Sequence, residues 1–269
     1  MEVYDPRTNA WKEAAPMSTI RVGHEAAVLT VGGQEMLYVV GGYDTQSREK
    51  LASTEVYDPR TNAWKAGPSM STWRKWFGMG LLTTGGQERL YVCGGQSGHS
   101  DNSNVEVYDP QTNAWTAAAP MIAGRKNPAA AVLTTGGQEM LYVMGGDSTN
   151  ARVVVDSVEV YDPRTNVWTA VAPMPTKRHA LETAVLTIGG QEMLYALGGA
   201  GGRSNPGSKA SVEVYDPQTN RWTTVAPMSH VRTHLAAAVL TTSGKEKLYA
   251  IGGGKAVDGY DLNSMEVYD

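Results

Sequence analysis

Apolar residues in this chain come in short runs, and none keeps a helical spacing. A representative stretch is His24–Thr30 (HEAAVLT), the polar turn Gly32-Gly33-Gln34-Glu35, then Met36–Val40 (MLYVV). A variable polar segment follows. Next come Glu55-Val56-Tyr57, the turn Asp58-Pro59-Arg60-Thr61-Asn62 and a last short run at Ala63–Lys65. Val, Leu, Tyr and Trp bounded by Gly, Pro, Asn and Asp predict strands joined by tight turns. No sustained 3.6-residue period is present, so almost no helix is expected.

The pattern repeats. EVYD recurs with tyrosines at Tyr4, Tyr57, Tyr108, Tyr161, Tyr215 and Tyr268, spaced 53, 51, 53, 54 and 53 residues apart. A tryptophan stands seven residues after each of the first five: Trp11, Trp64, Trp115, Trp168 and Trp222. A Gly-Gly pair closes each LYVV-like run: Gly41-Gly42, Gly94-Gly95, Gly145-Gly146, Gly198-Gly199 and Gly252-Gly253. Four strands per ~50 residues is the unit of a β-propeller blade.

The succession LYVVGG, VEVYDP, a Trp seven residues after the Tyr, then APM and an Arg resembles the kelch repeat. It covers the chain five times, in register. The resemblance implies an all-β, kelch-type β-propeller, with residues 1–269 as one domain. It also implies repeats that serve mostly as protein-binding modules. Relatives usually have six or seven blades, so five repeats are a departure.

The ends repeat one another, since residues 1–5 and 265–269 both read MEVYD. With strands lettered a to d from the axis outward, the N-terminus supplies c and d and the C-terminus supplies a, b and c. The expectation is five four-stranded blades, closed by N- and C-terminal strands sharing one blade, with one EVYD copy to spare. Closure removes the raw sheet edge and predicts a monomer. A fragment or a designed array with no ligand of its own also accounts for the duplicated end.

The a–b and c–d turns repeat almost verbatim, whereas the b–c loops share almost nothing. Loops on a rigid scaffold commonly carry recognition, and unconstrained loops also drift. In the d–a segments, Arg21, Arg74, Arg125, Arg178 and Arg232 each precede the Leu that ends strand a by eight residues. Kelch relatives generally carry this Arg, and in several it lines a pocket for acidic ligands. Guanidinium geometry also suits a framework role, bonding loop carbonyls. One d–a loop differs from the rest: Trp73-Arg74-Lys75-Trp76-Phe77 holds two tryptophans outside the repeat motif and the chain's sole Phe. Trp beside Arg is hot-spot composition, and packing between blades is the alternative for Trp76 and Phe77. The candidate ligand-binding residues are the five arginines with Trp73, Lys75 and Trp76.

Net charge is −4, yet the d–a segments sum to +6 and the b–c segments to −1, a face of +5. The basic face favours an acidic peptide or loop of a protein partner, while the overall negative charge argues against a general nucleic-acid coat, so no nucleic acid is expected. An anionic sugar at the central mouth is the second reading, because sugar mutarotases and copper oxidases occur among kelch-fold enzymes. The Tyr–Cys and His set of the copper type is not seen, and no P-loop, G-x-S-x-G or H-E-x-x-H motif appears. No enzymatic activity, cofactor or metal is expected, although His24, His179, His230 and His234 lie near one rim. The one cysteine, Cys93, reads as a small buried hydrophobe. No apolar run approaches a membrane span and no signal peptide is visible. The expected setting is therefore cytoplasmic, without membrane contact.

Overall fold

The computed structural model describes every residue except 99, 149–152, 203–206, 255–261 and 269, and leaves out the side chains of 100 and 101. Parts of four b–c loops therefore lie outside the described residues. With them go the charges of Arg152, Arg203, Lys255, Asp258 and Asp261, which entered the loop-face sum.

Among the described residues there is no helix, and so none that could cross a membrane. Four complete antiparallel blades run a-b-c-d in chain order. Blade one is Glu25–Val31, Gln34–Val40, Thr54–Asp58 and Ala63–Gly67. Blade two is Gly78–Thr84, Gln87–Cys93, Val105–Asp109 and Ala114–Ala118. Blade three is Ala129–Thr135, Gln138–Met144, Val158–Asp162 and Val167–Val171. Blade four is Glu182–Ile188, Gln191–Leu197, Val212–Asp216 and Arg221–Val225. Blade five has three strands, Ala236–Thr242, Lys245–Ile251 and Met265–Tyr268. Two small hairpins extend the b–c loops of blades two and three.

The sharing of one blade by the two termini is not seen among the described residues. Glu2–Asp5 pairs with Ala10–Glu13 in a sheet of its own, and Met265–Tyr268 holds the third place of blade five. Two identical EVYD strands compete for one position, and the C-terminal copy fills it.

Register explains the repeated residues. Each of the first five motif tyrosines faces its Trp across the c–d ladder, as in Tyr57↔Trp64 and Tyr161↔Trp168. The Tyr hydroxyl donates to the turn Asn, which turns the chain in the left-handed region (Asn62, φ 51°). In the a–b turn, Gln87 donates to Asp109 of the c–d turn, while Glu88 accepts the Thr30 N–H of the preceding blade at 2.7 Å. Glu139, Glu192 and Glu246 repeat that inter-blade bond. Between blades the core is apolar: Leu82 and Leu133 are fully buried, and Tyr38, Tyr91 and Tyr142 meet Tyr108, Tyr161 and Tyr215 of the next blade at 5.3–5.8 Å.

Around the axis a string of backbone bonds joins successive d–a segments. Trp76 donates to Gly23, Asn127 to Trp76, Ala180 to Asn127 and His234 to Ala180. All five residues adopt positive φ, between 50° and 65°. The conformation costs an ordinary residue ~1–2 kcal/mol, and the repeated bond holds it in place.

The Gly-Gly pair is required by close approach. A Cβ on Gly94 (φ 69°) would lie 2.7 Å from the Arg125 carbonyl oxygen, whereas one on Gly86 (φ 75°) meets open space. Gly94→Ala should therefore cost at least ~3 kcal/mol, a strained φ plus a backbone clash, and Gly86→Ala about 1–2 kcal/mol. Urea denaturation of the two variants compares them directly.

Candidate functional site

The five arginines are built into the framework, and this corrects the ligand role expected of them. Arg74, Arg178 and Arg232 are fully buried, and Arg21 and Arg125 nearly so. Each guanidinium spans three segments. In blade two, Arg74 Nη1 donates to the carbonyls of Gly94 (3.1 Å) and Asn104 (2.9 Å), and Nη2 donates to Glu106 at 2.6 Å. Arg21 pairs with Glu55, Arg125 with Glu159, Arg178 with Glu213 and Arg232 with Glu266. The buried carboxylates complete the clamp by accepting d–a backbone N–H groups: Ser18 on Glu55, Ser71 on Glu106, Ile122 on Glu159 and Ser229 on Glu266.

Protonation follows that geometry. Burial pushes the Glu55 carboxyl up, but hydrogen bonds from Ser18 and Arg21 outweigh it and leave it below the ordinary carboxylate value. Glu266 is brought down to about 2 in the same way, with the Ser229 and Arg232 bonds overcoming burial. Burial lowers Arg125 and Arg178 while their glutamates hold them up. The sequence carries a sign of this pairing, since a Glu stands two residues before every motif Tyr. Blade four breaks the pattern at Pro175, which has no N–H to give, and Glu213 Oε2 is buried without a partner.

With the arginines fixed, the next residue in each repeat is placed by the backbone. Val22, Lys75, Lys126, His179 and Thr233 exchange paired backbone bonds with the residue after each Gly-Gly, namely Tyr43, Gln96, Asp147, Ala200 and Gly254. This is a ring of paired positions at the mouth of the propeller, and the side chains there differ in every blade.

At blades one and two the ring is cationic and aromatic. Lys75 Nζ lies 4.0 Å from the centre of the Trp76 ring and 4.8 Å from that of Tyr43. Lys50 Nζ lies 4.5 Å from the centre of the Trp73 ring. Desolvation lowers the Lys75 pKa, with Lys50 and Lys126 adding to the shift. Lys126 reaches Asp147 at 3.4 Å. Trp73, Lys75 and Trp76 thus share this sector with Tyr43, Lys50 and Lys126. Phe77 is separate, buried with Met70, Val40 and Val92 in the core. Among the described residues no three His, Cys, Asp or Glu side chains gather as a metal site. Burial pushes the Cys93 thiol up to about 12, an unreactive state.

Two stability measurements follow from the clamp. Arg125→Ala leaves Glu159 buried and unpaired and should cost about 3–5 kcal/mol in denaturant unfolding. Pro175→Ser restores an N–H to Glu213 and should raise stability by about 1 kcal/mol.

Comparison with known proteins agrees with this architecture. Residues 1–199 match the family model described as the KLHDC2/KLHL20/DRC7 Kelch-repeats domain, and residues 182–229 match the Kelch motif. Kelch-like protein 23 of Homo sapiens is 28% identical over 270 residues, covering 100% of this chain and 44% of the relative. Kelch-like protein 25 of Xenopus tropicalis is 34% identical over 239 residues, covering 85% of this chain and 36% of the relative. The chain thus spans less than half the length of these relatives. A solved structure titled "Structure of YjhT" superposes with a TM-score of 0.75 at 18% identity, covering 97% of this chain and 88% of that one. The repeat register, the Gly-Gly, Tyr and Trp positions and the family match together make this chain a member of the kelch-repeat β-propeller family.

Proposed function

We propose that this chain is a non-catalytic protein-interaction module that takes an acidic segment of a partner on its b–c and d–a loop face. The observation that carries the reading is the cluster of Lys50, Lys75, Trp73, Trp76 and Tyr43. Lys75 and Lys50 have no carboxylate partner among the described ion pairs, and each ammonium lies over aromatic rings. Desolvation and the nearby Lys50 and Lys126 charges lower the proton affinity of Lys75, and cations set so close favour an anion between them. Aromatic side chains give such a contact an apolar, low-entropy floor. Membership of the kelch family supports an interaction role in general.

The arginines have no part in the contact, since all five are buried with each guanidinium paired to a Glu, and the Nε groups of Arg74, Arg125 and Arg178 that lack a partner are buried too. A grip on a sugar carboxylate by the arginine ring is unavailable for the same reason.

A fluorescent deca-glutamate peptide is a suitable probe. The Lys50→Ala, Lys75→Ala double variant should bind it about tenfold more weakly, with a flatter dependence on salt. Equal affinity in the double variant and the parent would end this reading.

A further inference from the structure

The string of backbone bonds around the axis carries the cationic sector on past blade two. Asn127 donates to Trp76, Ala180 to Asn127 and His234 to Ala180. Lys75, Lys126 and His179 each stand one residue before a member of that string. Lys75, Lys126, His179 and His234 therefore follow one another around the mouth, on positions that the backbone fixes. Lys126 and His179 are held again from the other side, by their bridges to Asp147 and Ala200. His234 takes the place that Trp76 holds in blade two, with the same left-handed turn (φ 50° against 55°).

Polar groups in this histidine sector are left unmatched. The charged groups that face His179 are Asp147, His234 and Lys126. Asp147 Oδ2 meets Lys126 at 3.4 Å, while its Oδ1 is buried without a hydrogen-bond partner, and so is His179 Nδ1. Desolvation holds both imidazoles below the ordinary histidine value. At His179 the nearby His234 and Lys126 act the same way, against the pull of Asp147. Both rings are neutral at pH 7. Its own blade brings Lys177, Lys209 and the Arg178–Glu213 pair, and strand a brings Glu182. Burial, eased by the Thr183 N–H, pushes the Glu182 carboxyl up to about 7.

We propose that Lys126, His179 and His234 form a second anion subsite at this mouth, which an acidic segment fills as the two histidines take up protons. Given the acidic-segment reading above, on which this rests, the segment runs from Lys50 and Lys75 along the arc to His234. A proton on His179 makes both ring nitrogens donors, with Asp147 as the facing acceptor. The neighbours that oppose that proton are Lys126 and His234, and an anion laid against the arc offsets them. Each imidazole then holds its proton more firmly with the segment bound than without it. By reciprocity the segment binds more tightly as pH falls. The gain begins as pH drops through the histidine value of the complex and is complete below that of the free protein.

Fluorescence anisotropy with a labelled deca-aspartate peptide tests this, because aspartate carboxyls stay ionised across the range used. The parent should bind about tenfold more tightly at about pH 5.5 than at about pH 7.5. In the His179→Gln, His234→Gln double variant that ratio should fall below about twofold. Glu182→Gln should keep the full ratio. Lys50→Ala, Lys75→Ala should bind more weakly at both pH values and keep it too. The parent also gives a readout that depends on no variant's folding: its His179 and His234 imidazole resonances should titrate at higher pH with peptide present. A parent whose affinity ignores pH overturns the proposal and leaves the acidic-segment reading standing. A ratio that survives loss of both histidines, or vanishes in Glu182→Gln, overturns it by placing the proton elsewhere. No binding at either pH removes both readings together.

Discussion

The buried Arg–Glu clamp is the constraint on which the rest of the molecule depends. A lone guanidinium or carboxylate in this interior would cost several kcal/mol, and the pair repays that only when the remaining donors and acceptors are also satisfied. Satisfying them fixes the neighbouring backbone. Nη1 of each Arg needs two carbonyls, one at the end of strand b and one at the start of strand c. Each Glu needs N–H groups from the d–a segment. Strand b must therefore end beside the next segment at a distance no Cβ tolerates, and that sets the Gly-Gly pair. The same Arg presents its carbonyl to the previous blade, as where Gly95 N–H donates to Arg125. One side chain thus closes its own blade and its backbone joins the neighbour.

Backbone strain at the axis follows from that joint. The residue two beyond each Arg must turn left-handed to pass its carbonyl to the next blade. Gly23 and Asn127 do so cheaply; Ala180, His234 and Trp76 do not. Trp76 has a visible return. Its indole lies against Gly23, where a Cβ would come within 2.8 Å, and Lys75 settles over the ring. The costly conformation at Trp76 sets a bulky ring under an ammonium that has no carboxylate partner among the described ion pairs, which supports the contact proposed there.

The strand order, the blade unit and the four turns were legible because each rests on local chemistry: Gly-Gly, Asp-Pro-x-Thr-Asn, and Tyr seven residues before Trp. The arginines were misread because like charges at one position in five repeats suggest a ring open to ligand. The opposing charge lay some thirty residues away, on the Glu before each Tyr, and only the fold brings it back. The charge sum of the loop face misled in the same way. Without the five paired arginines, its net +5 falls to zero. Tyr43 and Lys50 could not be assigned from sequence, because they sit in a b–c loop with no counterpart in other repeats.

The clamp also accounts for where this fold can vary. Arg, Glu, Gly-Gly and the turn Asn each have several fixed partners, so a change at any of them strands a buried polar group. The residue after Arg and the residue after Gly-Gly are bound to one another in every blade by a pair of backbone bonds, and side chains add to that link only in some, as where Lys126 meets Asp147 and Thr233 donates to the Gly254 carbonyl. The backbone bonds hold these positions whichever side chains they carry. The outcome is five paired display sites around one mouth: Val and Tyr, Lys and Gln, Lys and Asp, His and Ala, Thr and Gly. Preorganised backbone with free choice of side chain is what a recognition surface needs, because little ordering entropy remains to be lost on binding. The cationic, aromatic sector at blades one and two is therefore one set of side chains on a surface whose geometry the framework fixes independently of them.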